Sequence, residues 1–217
     1  MSSNDSPYEE YLNLAELLSL QRPLTPRTDT SIWAAEHFFI VIHQSCELLL
    51  HQAILDLTSI DQYLRHTPLH CVEQVEACLS RVEALVRLLH HHLDLFDHLP
   101  PQVFAAFRTR LKGASGAQSS QFAELFSRTG TGPHAGDVGG NLAENRALVD
   151  SPRLNYALHA LQKAVHEWQE HHVSVVRTMI GGQRGTGGTS GARYLSSRVT
   201  SLGHETLRGL PEPYRHE

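Results

Sequence analysis

Cysteine is scarce in this chain. There are three in 217 residues, Cys46, Cys71 and Cys78, too few for a disulfide framework and all in or beside helix-like segments. That usage fits a reducing, cytoplasmic compartment. Positive charge is also short: 18 Lys and Arg against 23 Asp and Glu leave a net charge of −5. No general attraction to nucleic acid or to an anionic membrane follows from such a balance. The opening Met1-Ser2-Ser3-Asn4-Asp5 lacks the basic and apolar regions of a signal peptide. No apolar run reads as long enough to span a bilayer. Period-two alternation is unconvincing throughout, so no sheet is expected, and no internal repeat of useful length is found.

What is present is apolar helix and histidine. At 41% hydrophobic the chain can bury a proper core, and its length suits one domain over 1–217. Ser6-Pro7-Tyr8-Glu9 has the form of a helix start, with a serine cap, a proline in the first turn and a glutamate closing a capping box. Tyr8, Tyr11, Leu12, Ala15 and Leu18 then share roughly one face, until Gln21-Arg22-Pro23 ends the helix. A long helix is predicted from Ser31 to about His66, apolar almost all round between Phe38 and Leu50 and therefore central and buried. Val72 to Leu99 repeats apolar residues at i, i+3 and i+4. Pro100-Pro101 stops it and starts another helix, Gln102 to Leu111. A short helix is expected from Gln118 to Ser127, a mobile loop over 128–150, and a long helix capped by Ser151-Pro152 and running through His172 to about Ile180. The remainder holds at most one more short helix. The fold class is all-α, a helical bundle with long antiparallel helices.

Sixteen histidines invite a metal or cofactor without locating it. His90-His91-His92 with Asp94 has metal-like composition, but consecutive helical positions point in different directions, so a solvated face is the better reading. His166 and His171 miss the HExxH spacing of zinc proteases by one residue. The Gly185-Thr186-Gly187-Gly188-Thr189-Ser190-Gly191 stretch follows a helix, not a strand, and no Lys-Ser/Thr follows it, so neither a dinucleotide fingerprint nor a P-loop is present. On pattern alone it is a helix C-cap and flexible loop. Phe39 and His43 share a helix face, as do Phe104 and Arg108. Singly, a histidine in an apolar helix is usually a hydrogen-bonded core residue, and a lone arginine usually reaches to water.

Taken in order, these pieces resemble the tryptophan 2,3-dioxygenase family of histidine-ligated haem oxygenases. The matching stretches are Tyr8 to Leu12 with Leu17 to Leu24; Phe39 to Gln44 with Glu47-Leu48; Phe104 to Arg108 leading to Ala114-Ser115-Gly116; and His172-Val173, Arg177, Ile180-Gly181 and the glycine loop. The resemblance implies a b-type haem with His172 as the axial ligand of its iron, a neutral imidazole leaving the other face open. It implies His43 on that face as a hydrogen-bond partner of the indole nitrogen. Phe39 would pack on the indole ring, and Arg108 would clamp the amino-acid carboxylate. Thr186 would contact the ammonium or carboxylate; Phe104, Ser115 and Gly116 would line the pocket. Tyr8, Tyr11 and Leu12, on an arm over 1–25, would complete a neighbouring subunit's pocket, which implies a homotetramer. The implied reaction takes L-tryptophan or a derivative and dioxygen, adds oxygen across the indole C2–C3 bond, and puts both atoms into an N-formylkynurenine-type product.

The chain departs from the family pattern at several points. Ala34-Ala35 stand where His-Asp is usual, Leu49 where Trp is usual, Ala117 where an aromatic is usual and Ala123 where Arg is usual. Smaller side chains near a pocket enlarge or reshape it, which points to a bulkier or substituted indole. Two alternatives therefore stay open: a monooxygenating relative that makes an oxindole-type product from a substituted tryptophan, and a non-catalytic haem-binding sensor or carrier. A carrier needs no carboxylate clamp, so Phe39, His43 and Arg108 together weigh against the latter.

Overall fold

The computed structural model describes residues 6–66, 71–132 and 140–199. Among them every regular element is helical, as the all-α reading expects. The elements are α1 (Pro7–Tyr11), α2 (Leu14–Leu17), α3 (Thr30–His66), α4 (Val72–His92), α5 (Pro101–Arg108), α6 (Ser120–Thr129), α7 (Arg146–Val149), α8 (Pro152–Ile180) and α9 (Ala192–Ser196). The 37-residue α3 and the 29-residue α8 both pack along α4. The main core lies between these three, from Leu50, Leu57 and Ile60 on α3 through Val75, Leu79 and Val82 on α4 to Leu158, Leu161 and Val165 on α8. All nine are sealed from solvent or nearly so.

The helix starts are where side-chain chemistry puts them. The Ser6 hydroxyl accepts the Glu9 N–H while the Glu9 carboxylate accepts the Ser6 N–H, with Pro7 at the first position. Ser151 caps α8 ahead of Pro152, and Ser119 caps α6. Two long repeats tighten at their ends: Leu93–His98 after α4 and Thr109–Leu111 after α5 are 3-10 turns.

Three expectations need correction. The first helix is not continuous to Leu20, because Asn13 takes a left-handed conformation (φ 50°) and splits it into α1 and α2. Nor is the middle of α3 buried all round. Val41, Leu48 and Leu55, at seven-residue spacing, are 40%, 56% and 49% exposed and form an outward apolar stripe. By length and hydropathy α3 is also long and apolar enough to cross a membrane, although its partners are α4, α5 and α6, as for a core helix. Finally, segment 128–150 is not all loop. Arg128 and Thr129 finish α6, Leu142–Glu144 is a 3-10 turn, and α7 follows. Residues 133–139 lie outside the described residues, as do 67–70 and those from 200 onward.

Two charged groups tie the periphery to α3. The buried Glu36 carboxylate accepts the backbone N–H of Leu24 and Thr25, both at 2.8 Å, holding the N-terminal arm. Buried Arg128 donates to Asp61 at 2.6 Å and to the Leu57 carbonyl at 2.7 Å, fixing α6 where it walls the site. Arg128→Ala leaves Asp61 and a backbone carbonyl without their partner. We expect a loss of about 3–5 kcal/mol in unfolding free energy, the usual range for breaking a buried pair. Urea denaturation measures it, and a loss below about 1 kcal/mol would mean that water replaces the guanidinium.

Candidate active site

A cavity of about 600 Å³ opens between α3, α6, α8 and α9, within the range of small-molecule sites. His43 and Cys46 of α3 line it, with Phe96 after α4 and Phe122 of α6. Trp168 and His172 of α8 complete the aromatic wall. The four-residue spacing of Trp168 and His172 stacks one on the other, centroids 4.8 Å apart at 22°, and Phe122 stacks on Trp168 at 4.4 Å.

Both histidines are kept uncharged. The His43 Nδ1–H donates to the Phe39 carbonyl at 2.8 Å. A carbonyl can only accept, so the tautomer is set and Nε2 is left with a free lone pair. Burial lowers the His43 pKa, against the opposing effects of the Phe39 carbonyl and Glu47. Burial also lowers His172, to about 4, helped by repulsion from His43 and His171. A neutral imidazole is the form that ligates iron. The cavity's thiol is a poor rival: burial, with Glu47 beside it, raises Cys46 to about 12, so it carries no thiolate at neutral pH. Among the described residues no three His, Cys, Asp or Glu side chains gather to hold a bare ion. His90 instead meets His171, Nε2 to Nδ1 3.1 Å, and His91 lies 3.6 Å from Asp94. The donor set thus suits a group that brings most of its own ligands and needs one axial nitrogen, with aromatic walls for its faces and Arg198 as a cation on the lining.

The anticipated site residues divide into four places. His43, His172 and Gly116 line the main cavity. Phe39 and Phe104 lie behind His43 in a second apolar cluster with Leu99 and Phe107; the Phe39 ring is 4.1 Å from His43 and 5.5 Å from Phe104. Arg108 and Thr186 line a separate depression with Thr109, Lys112 and Gly113. There the Arg108 fork is already engaged, donating to Gln183 Oε1 at 2.6 Å and to the Arg184 carbonyl, and Thr186 donates to the Ala114 carbonyl at 2.6 Å. Ser115 joins the two hollows: it caps the turn whose Gly116 and Ala117 line the cavity, and it lies so close under Gly187 that a Cβ there would come within 3.0 Å of its own. Tyr8, Tyr11 and Leu12 sit apart on the surface, 68%, 84% and 40% exposed.

The glycine loop is therefore more than a cap. Gly191, at φ +65°, has no room for a side chain, since a Cβ would fall 2.6 Å from the Gln183 carbonyl. That tight return places Gln183 and Arg184 against Arg108.

The comparisons with known proteins decide what this geometry belongs to. The family model described as tryptophan 2,3-dioxygenase matches residues 1–133. The chain belongs to the tryptophan 2,3-dioxygenase family. Its curated relatives include the tryptophan 2,3-dioxygenase of Anaeromyxobacter dehalogenans, 30% identical over 88% of this chain and 90% of that protein. Those of Nocardioides sp. and Caulobacter vibrioides are each 29% identical, covering 94% and 91% of this chain and 92% and 94% of theirs. Coverage on this scale extends past residue 133, into the half that carries His172. The family is one of dioxygenase enzymes, and this member is an enzyme of that kind.

Reading the sequence missed Trp168, Gln169, Phe122 and Arg198 as lining residues. For the first two a signal existed: they stand four and three residues before His172 on one helix, hence on its face.

The His172 shift has a pH consequence. In the unfolded chain the imidazole titrates at its ordinary 6.5, in the folded one at about 4. Between those values the unfolded state binds a proton that the folded state does not. Stability of the cofactor-free protein is thus greatest above about pH 6.5, falls as pH drops toward 4, and loses nothing more from this group below that. His172→Leu should flatten that slope in denaturation midpoints taken from pH 7 to 4; an unchanged slope would mean the ring is hydrated.

Proposed function

We propose that this enzyme is a haem-dependent oxygenase of the indole ring of L-tryptophan or a close derivative, working as a 2,3-dioxygenase with an N-formylkynurenine-type product. The observation that carries the reading is the pair of uncharged imidazoles on one aromatic-walled cavity, in a chain of this family. His172 would hold the haem iron, and Arg198, on the cavity lining and bonded to the Tyr194 hydroxyl, would supply a cation for its carboxylates. When bound, the haem supplies the activation of dioxygen that no side chain can provide.

The chain's own residues do the rest. His43 Nε2 accepts the indole N–H, its other nitrogen being pinned by the Phe39 carbonyl; this orients the ring without taking its proton. Phe39 backs that imidazole, and with Phe104 keeps water from its inner side. Arg108 takes the substrate carboxylate by exchanging its bonds to Gln183 and Arg184 for a bidentate pair. Thr186, on the same loop, contacts the ammonium or carboxylate. Ser115 and Gly116 form the wall between ring and carboxylate. Tyr8 and Tyr11 of α1 and Leu12 after it, all exposed, cover a neighbouring subunit's pocket in a homotetramer. The assembly works in the cytoplasm.

A second reading is favoured by one observation. Ala117 and Ala123, small where the family pattern is large, both line the cavity. The added room suits a substituted tryptophan, the substrate of the oxindole-forming alternative, in which one oxygen enters the product and the other leaves as water with two electrons from an added reductant.

Turnover by the hemin-loaded, reduced protein under labelled dioxygen separates these. Two labelled atoms in the tryptophan product are expected; one labelled atom, best with a methylated tryptophan, selects the second reading. No consumption of any indole leaves a sensor or carrier. Arg108→Ala should raise KM for the amino acid about 10- to 100-fold, the worth of charge-assisted hydrogen bonds, and leave indoles without a carboxylate little changed. An equal loss for both counts against the clamp.

A further inference from the structure

Two buried polar atoms in the cavity wall have no hydrogen-bond partner: Trp168 Nε1 and Gln169 Oε1. Their residues are 6% and 7% exposed, so open solvent does not serve them, and each orphan costs roughly 1–3 kcal/mol. The Gln169 amide cannot turn to relieve this. Its Nε2 donates to the Thr131 carbonyl at 3.2 Å, which only a donor can satisfy, so the oxygen is held on the other side. His172 follows on the same helix face and lines the same cavity. Its ring nitrogens also have no hydrogen-bond partner among the described residues.

Three needs thus converge on one patch of α8. A neutral imidazole that ligates a metal through one nitrogen carries a hydrogen on the other, and that hydrogen requires an acceptor. An indole N–H requires an acceptor. An amide oxygen requires a donor. We propose that Gln169 is a positioning residue for His172: its amide oxygen ends the hydrogen-bond chain from the outer N–H of that imidazole. The amide oxygen has essentially no water-accessible surface and no other donor among the described residues reaches it, so the chain closes directly once the iron fixes the ring, with Gln169 three residues before His172 on the same helix face. The stack of Trp168 against His172 at 4.8 Å limits rotation of the imidazole, and the Thr131 bond anchors the far end. Gln169 therefore sets both the ring's orientation and its electron donation. This rests on His172 as the axial ligand.

The test uses the hemin-loaded full chain and reads the proximal bond rather than turnover. The iron–histidine stretch of the ferrous protein is measured by resonance Raman, the midpoint potential by spectroelectrochemistry, and hemin loss by transfer to an apo-globin scavenger. Gln169→Glu, a stronger acceptor of nearly the same size, should raise the stretching frequency and lower the potential. Gln169→Leu, with no acceptor, should move both the opposite way and release hemin at least about 10-fold faster, as loss of such outer partners usually does. Opposite shifts in the two variants support the proposal, because a merely structural role would not reverse sign. Should Gln169→Leu fail to fold, the Gln169→Glu frequency decides alone. Wild-type frequency and potential in Gln169→Glu, or shifts of one sign in both variants, overturn it. Wild-type protein with no Soret band overturns the haem reading itself, and with it the proposal; a normal Soret band with silent variants overturns the proposal alone.

Discussion

The partial burial of two imidazoles against aromatic walls is the constraint on which this structure turns. An exposed histidine titrates near neutrality and is protonated part of the time, and the protonated form can neither ligate a metal nor accept a hydrogen bond. Burying one without a charged partner holds it neutral, and the cost is borne by the packing around it. Here the cost falls on the junction of α3 and α8, which reach each other by way of α4. His43 comes from the first and His172 from the second, and the aromatic side chains of Phe96, Phe122 and Trp168 line the cavity between them. The tie of Arg128 to Asp61 belongs to the same scheme, since it holds α6, and so Phe122, against the cavity.

Much of this was legible in the sequence, for reasons that are local. Serine caps, the proline at the first turn and the i, i+3, i+4 repeat fix the starts of the long helices within a residue or two, because each acts over a single turn, whereas the repeat expected to Leu99 leaves the α-helix at His92 and continues as a 3-10 turn. Histidines 43 and 172 were singled out through the ordered resemblance; pattern alone read His43 as a hydrogen-bonded core residue. What failed was non-local. The kink at Asn13 depends on a backbone state that asparagine tolerates but does not compel. The outward face of α3 was hidden because its stripe of valine and leucine looks the same whether or not another helix covers it. The separation of Arg108 from the main cavity could not be read from its place on a helix with Phe104, since it follows from where the glycine loop folds back.

The departures from the family pattern acquire locations. Ala117 and Ala123 face the cavity, whereas Leu49 packs on the main core and Ala35 on the cluster around Phe107. The first two bear on what fits inside; the latter two bear on how α3 sits against its neighbours.

Arg108 finally has a consequence for how the proposed substrate gains entry. Its guanidinium is not a vacant clamp, because Gln183 and Arg184 hold it at rest. With Arg108 as the proposed clamp, an incoming carboxylate would have to evict internal tenants, so affinity would reflect a difference between two sets of bonds rather than the strength of one. The groups to be evicted belong to the loop that carries Thr186. Arrival of the ligand would thereby be coupled to a rearrangement of its own cover, and a molecule without the anion would leave that latch in place.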